Sequence, residues 1–199
     1  MSPLDLQTVL TKKPLGLVFD IDGTLSPIAP TPEEARLYPG VAPLLERARE
    51  HAHIAIMTGR AIEDGAAMVN VDGLTYIGTH GLEWSDGLPT SHPVEILPEA
   101  LAYIEPGKYL LDLVEQHLPA LHGVIVQRFD LHGVTFAGDD RTDLDAVLEI
   151  ARLRQEGIAA LAIVVQHPDT LPEMLANADI VVQGVEGMAN LLHKMVELL

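Results

Sequence analysis

Residues 15–28 read LGLVFDIDGTLSPI. The run LGLVFDI (15–21) is apolar up to Asp20 and reads as a strand buried on both faces, as in a parallel sheet. It ends in two aspartates one residue apart, followed by Gly23, Thr24 and then Pro27. In a strand, residues i and i+2 face the same side, so Asp20 and Asp22 are expected to point together. Like charges that close need a cation, or one carboxyl must keep its proton. The plainer alternative is a strand entering an Asp-Gly turn, with the aspartates serving turn chemistry.

Outward from this stretch, period and punctuation predict an alternating chain. A helix is expected at 41–50, a strand at 54–59, a short helix at 61–69 and a strand at 74–81. After a break come a strand at 134–138, a helix at 141–157 and a strand at 158–166. A helix at 171–178, a strand at 179–183 and a helix at 185–199 complete the series. Valine- and leucine-rich strands alternating with helices imply an α/β fold, mostly parallel sheet with helices on both faces. Residues 84–100 carry an Asp-Gly turn and several prolines, and a helix is expected after them. GVIVQ (123–127) is expected as a strand. Residues 85–130 therefore read as an insertion, with 1–84 and 131–199 forming the core.

Composition narrows the function. The 199 residues include 12 basic and 29 acidic ones, for a net charge of −17. Such a field disfavours nucleic acid and anionic membranes, and would repel a phosphorylated ligand unless a cation neutralised the site. No apolar run approaches the ~20 residues of a membrane span. With no cysteine and no basic-then-apolar leader, a cytoplasmic protein is the default expectation.

Ligands of an open parallel sheet bind beyond the carboxyl ends of its strands. Four stretches reach that edge: Asp20–Thr24, Thr58-Gly59-Arg60, Thr79-His80-Gly81-Leu82-Glu83 and Gly138–Asp143. Mg²⁺ takes oxygen ligands, commonly one or two carboxylates. Asp20 and Asp139 are candidates for its side-chain ligands, and the Asp22 backbone carbonyl for a third. The Asp22 side chain would then be free to move a proton. Thr58 offers a hydroxyl beside a helix start, suited to a phosphate oxygen or, alternatively, to an N-cap. The carboxylates of GDDRTDLDA are candidates for metal support or for an acidic first helical turn. Of the nine histidines, His51 and His53 read as surface or packing residues. His80 belongs to the active edge.

FDIDGTLSPI, IMTGR, GTHGLE and GDDRTDLDA resemble, in order, the motifs of the haloacid dehalogenase superfamily of phosphotransferases. Within it the chain is most similar to trehalose-6-phosphate phosphatases. The resemblance covers about 1–84 and 133–199. It implies a Rossmann-like core and an Mg²⁺-dependent phosphomonoester hydrolase working through an aspartyl-phosphate. Asp20 is implied as nucleophile and metal ligand, Asp22 as general acid and base, and Thr58 as a phosphoryl-binding residue. Asp139 is implied as metal ligand, supported by Asp140 and Asp143, with Gly23 and Thr24 N–H groups on the phosphoryl oxygens. Gly59, Arg60, His80 and Gly81 are candidates for substrate contact. The implied partner is a small sugar phosphate, with homo-oligomerisation left open.

Two family features are missing. The αβ cap that closes over the sugar is much reduced, as if excised between Gln127 and Arg128. The lysine preceding the last motif is also absent, leaving Lys108, or Arg128, as candidate substitutes. Weakened or altered activity is therefore expected. A generalist phosphatase acting on other phosphomonoesters or a protein partner is one alternative, and a catalytically impaired scaffold another.

Overall fold

The computed structural model describes residues 5–81, 83–85 and 125–199. Residues 86–124, which hold Lys108 and most of the expected insertion, lie outside the described residues.

Seven strands form one sheet in the order β4-β3-β2-β1-β5-β6-β7. They are β1 (Leu15–Phe19), β2 (His53–Met57), β3 (Thr75–Gly78), β4 (Glu83–Trp84), β5 (Gly133–Gly138), β6 (Ala159–Gln166) and β7 (Ile180–Gln183). All neighbours pair in parallel except β4, which turns back antiparallel on β3. The sequence thus forms the expected α/β architecture, with β1 at its centre. Every residue of β1 is buried, because helices cover both faces of the sheet.

One face packs Leu17 and Phe19 against α2 (Val41–Ala48) and α6 (Gly184–Leu198). Val41, Leu45 and Ala48 of α2, and Val185, Met188, Leu192 and Met195 of α6, recur at helical spacing and form the buried stripes. The opposite face packs Val18, Val134 and Phe136 with Ala146, Val147, Ile150 and Leu153 of α4 (Leu144–Gln155) and Met174 of α5 (Pro172–Asn177). Phe19 and Phe136 are both fully buried. Each such side chain is worth roughly 1.5–3 kcal/mol of burial, which makes the centre of the sheet a stiff platform for the loops at its edge. Among the described residues, no helix is long and apolar enough to cross a membrane.

Three local expectations change. A short helix, α1 (Leu6–Leu10), precedes β1, capped by Asp5, whose carboxylate accepts the Thr8 N–H at 2.7 Å. Residues 125–128, at the end of the expected strand GVIVQ, are helical. Ile125 and Val126 are buried with Trp84 and Leu131, so tertiary packing overrides the strand preference of β-branched residues. Finally, β1 stops at Phe19, two residues earlier than expected, and this alters the reading of the aspartates.

Candidate active site

The chain leaves β1 through a tight turn closed by one carbonyl. Ile21 O accepts the N–H groups of Thr24, Leu25 and Ser26 at 3.2, 2.8 and 2.8 Å. The i, i+2 rule of a strand therefore does not apply beyond Phe19, and Asp20 and Asp22 part company. Asp20 remains anchored to the sheet by its N–H on Ala137 O at 2.9 Å. Its carboxylate meets those of Asp139 and Asp143: one oxygen from each lies within 4.8 Å of the others.

Two glycines make this convergence possible. Gly23 has φ +87°, and a β-carbon there would stand 2.0 Å from Asp139 Oδ2. A β-carbon on Gly138 would stand 2.4 Å from Asp143 Cγ. The glycines of DIDGT and FAGDD are thus the space into which two of the carboxylates fold. Asp143 Oδ2 also accepts the N–H groups of Asp139 and Asp140 at 2.9 and 3.3 Å, which aims it back at the cluster. Thr24 Oγ1 donates to Asp139 Oδ1 over a long 3.4 Å.

Asp139 is 5% exposed and Asp143 9%. Burial, then the neighbouring charge of Asp140, pushes the Asp139 carboxyl up to about 7. Asp20 is raised by burial and then by Asp143 and Asp139. Asp143 is raised by burial and then by Asp140 and Asp139, against the pull of the two amides it accepts. Two unit charges at this separation repel by roughly 3 kcal/mol at an effective dielectric near 20. The cluster is an all-oxygen donor set with surplus negative charge, which fits a hard divalent cation.

The other expected site residues are distributed differently. Asp22 does not join Asp20; its two oxygens accept from Arg60 Nε and Nη2 at 2.6 and 2.7 Å. Arg60, expected to contact substrate, is also tied by Nη1 to Pro32 O at 3.1 Å. Among the described residues, no hydrogen bond uses the Asp22 carbonyl. The Gly23 and Thr24 N–H groups, expected to face phosphoryl oxygens, are donated within the turn to Ser26 O and Ile21 O. Asp140 turns away from the acidic cluster, because its Oδ1 caps the next turn by accepting Thr142 N and Oγ1 at 2.8 and 2.7 Å.

Thr58 is 5% exposed, directly beyond β2. It is not an N-cap: α3 (Ile62–Val69) begins at Ile62 behind Ala61, and Thr58 Oγ1 instead accepts the Arg60 N–H at 3.2 Å. Among the described residues, its hydroxyl donates no hydrogen bond. His80 adopts φ 52° and lays its ring over Gly59, 2.7 Å from where a β-carbon would stand. Gly81 is buried and its carbonyl accepts Trp84 Nε1 at 3.0 Å. The Arg128 guanidinium lies over the Trp84 ring, 5.7 Å from its centroid.

One contributor, Glu83, was placed at this edge in the sequence without a role, and another, His167, was missed. Glu83 Oε2 accepts the Ile62 N–H at 3.1 Å and so closes the start of α3. His167 follows β6 and places Nε2 2.8 Å from Gly23 O and 3.8 Å from Asp139 Oδ2. Its one sequence signal is its place directly after β6, at the carboxyl edge of the sheet.

The trehalose-phosphatase family model matches residues 18–127, more than half of the chain. The chain belongs to the trehalose-phosphatase family. The match takes in the turn after β1, Thr58 and 85–127, the stretch that sequence reading sets apart, and ends before β5. The trehalose-phosphate phosphatase of Mycobacterium leprae is 31% identical over 127 residues, 64% of this chain but 29% of that protein. The chain thus spans about a third of the length of such curated relatives. The structure of Aspergillus fumigatus trehalose-6-phosphate phosphatase aligns over 99% of both chains with a TM-score of 0.66 at 15% identity. A Moraxella catarrhalis 3-deoxy-D-manno-octulosonate 8-phosphate phosphatase, solved with magnesium and phosphate ions, aligns over 96% of this chain and 90% of its own. Its TM-score is 0.58 at 16% identity. These likenesses show a shared α/β fold that extends over β5 and the strands beyond it.

Proposed function

We propose that the chain is a Mg²⁺-dependent phosphomonoester hydrolase acting through a phosphorylated Asp20, on a sugar phosphate of the trehalose 6-phosphate type. The observation that carries this reading is the meeting of Asp20, Asp139 and Asp143 at the carboxyl edge of the sheet, in a chain of the trehalose-phosphatase family. Asp20, Asp139 and Asp143 would hold the ion, with the Asp22 carbonyl as a further oxygen. When bound, Mg²⁺ supplies the positive charge that lets three carboxylates and a phosphoryl group share one site.

An Asp20 oxygen attacks phosphorus, the bond from phosphorus to the sugar oxygen breaks, and Asp22 protonates that oxygen as it leaves. Water then attacks the phosphoryl-aspartate and gives its proton to Asp22, restoring Asp20 and releasing phosphate. Thr58 directs its hydroxyl proton to a phosphoryl oxygen. The bidentate Arg60 pair holds the Asp22 side chain apart from the carboxylate cluster around Asp20, and that pairing must open before Asp22 can exchange a proton with substrate. Substrate therefore draws Arg60 onto the phosphoryl group, and Asp22 is released for proton transfer. Lys108, outside the described residues, is the candidate for further charge compensation. Residues 85–130 are assigned as a reduced cap between the two core segments.

The test is phosphate release from trehalose 6-phosphate, other sugar phosphates and an aryl phosphate, with and without chelator, beside Asp20→Asn. Chelator-sensitive turnover lost in the variant supports the mechanism, and preference within the panel separates a trehalose 6-phosphate enzyme from a generalist. Turnover that survives either treatment overturns it.

A further inference from the structure

His167 belongs to none of the motifs read from the sequence. Its loop is pinned by Thr170, whose Oγ1 accepts the His167 N–H at 2.8 Å and whose N–H returns to His167 O at 3.2 Å. Held this way, the ring reaches the turn after β1, with Nε2 2.8 Å from Gly23 O. A carbonyl oxygen only accepts, so Nε2 carries the proton, which fixes the neutral ring in one tautomer. Nε2 also lies 3.8 Å from Asp139 Oδ2. Three loops, behind β1, β5 and β6, therefore meet at one imidazole.

This contact bears on spacing rather than on bulk packing. Gly23 lies so close to Asp139 that a β-carbon there would stand 2.0 Å from Oδ2. Among the described residues, the other side-chain tie between the two loops, from Thr24 to Asp139, is long at 3.4 Å. The His167 side chain keeps 20% of its surface exposed, so it does not serve as a core residue. We infer that His167 is a positioning residue: by holding the Gly23 peptide beside Asp139, it sets the distance between the turn carrying Asp20 and the acidic loop behind β5, and with it the cation affinity of the site. The inference rests on the phosphatase reading above. His167 acts through Gly23 and Asp139. Hydrogen-bonded supports of this kind typically change metal affinity 10–100-fold when removed.

The experiment measures Mn²⁺ affinity of the full chain by the electron-spin resonance of free Mn²⁺, alongside phosphate release from trehalose 6-phosphate and an aryl phosphate. His167→Leu removes the N–H while keeping bulk; His167→Gln offers an N–H at similar reach. In His167→Leu, Mn²⁺ affinity is expected to fall about tenfold and kcat with it, at unchanged KM; His167→Gln is expected to recover most of both. In the wild type, long-range ¹⁵N–¹H correlation is expected to place the proton of the neutral ring on Nε2. Wild-type Mn²⁺ affinity in His167→Leu overturns the inference, as does a Gln variant no better than Leu, or a proton on Nδ1. Should the Leu variant not fold, the tautomer and the Gln variant decide. A wild type that neither binds Mn²⁺ nor releases phosphate overturns the functional reading and this inference with it. A wild type that does both, beside an unimpaired His167→Leu, overturns this inference alone.

Discussion

Asp139→Asn should stabilise the metal-free protein, and more so at high pH. Burial and the charge of Asp140 raise the Asp139 carboxyl from 3.8 to about 7 in the folded chain. Its folded-state affinity for a proton thus exceeds that of the unfolded chain, so the associated stability is complete below about pH 4 and is lost as pH rises to about 7. A rise of that size corresponds to ~4 kcal/mol of strain above pH 7, of which only ~1.5 kcal/mol has accrued at pH 5. Replacing the carboxylate with a neutral amide removes the strain. Urea unfolding in chelator should show the variant more stable than wild type by about 4 kcal/mol at pH 8 and by about 1.5 kcal/mol at pH 5. Mg²⁺ should reverse the order at pH 8 by stabilising the wild type alone. A variant whose advantage is the same at both pH values, or absent at pH 8, would refute the electrostatic account.

Two further substitutions probe the architecture of the site. Arg60→Ala removes the bidentate partner of Asp22 and should lower kcat roughly 100-fold; Arg60→Lys should recover little, since an ammonium cannot reproduce the fork. Unchanged kcat in either would show that Arg60 has no part in the reaction. Gly23→Ala places a β-carbon 2.0 Å from Asp139 Oδ2 at φ +87°. It should cost about 1–3 kcal/mol in stability and lower Mg²⁺ affinity in calorimetric titration, and wild-type values on both counts would refute the close approach.

Much of the fold was legible because strong periodicity and a doubly covered sheet leave few alternatives. LGLVF and IAALAIVVQ can be little else than central strands. The short α1 was not, because five residues carry almost no period and its signal is one capping aspartate. GVIVQ misled because its β-branched residues promise a strand, whereas burial against Trp84 and Leu131 decides the local structure. Within the site, the strand rule placed Asp20 correctly at the edge but carried Asp22 with it. The turn closed by Ile21 O depends on hydrogen bonds that no spacing announces. Asp139 was read correctly as part of that edge, yet the division of labour between Asp140 and Asp143 follows from backbone geometry: one caps a turn, the other folds over Gly138. His167 was overlooked because it stands alone, without a motif around it.

The central claim is that Asp20 becomes phosphorylated. The direct measurement is acid quench of the protein during turnover of trehalose 6-phosphate with Mg²⁺, followed by mass spectrometry of the peptide containing Asp20. The account predicts a phosphoryl group on Asp20, absent with chelator and absent in Asp20→Asn. Turnover without that adduct in a quench fast enough to trap it, or an adduct on another residue, would contradict it.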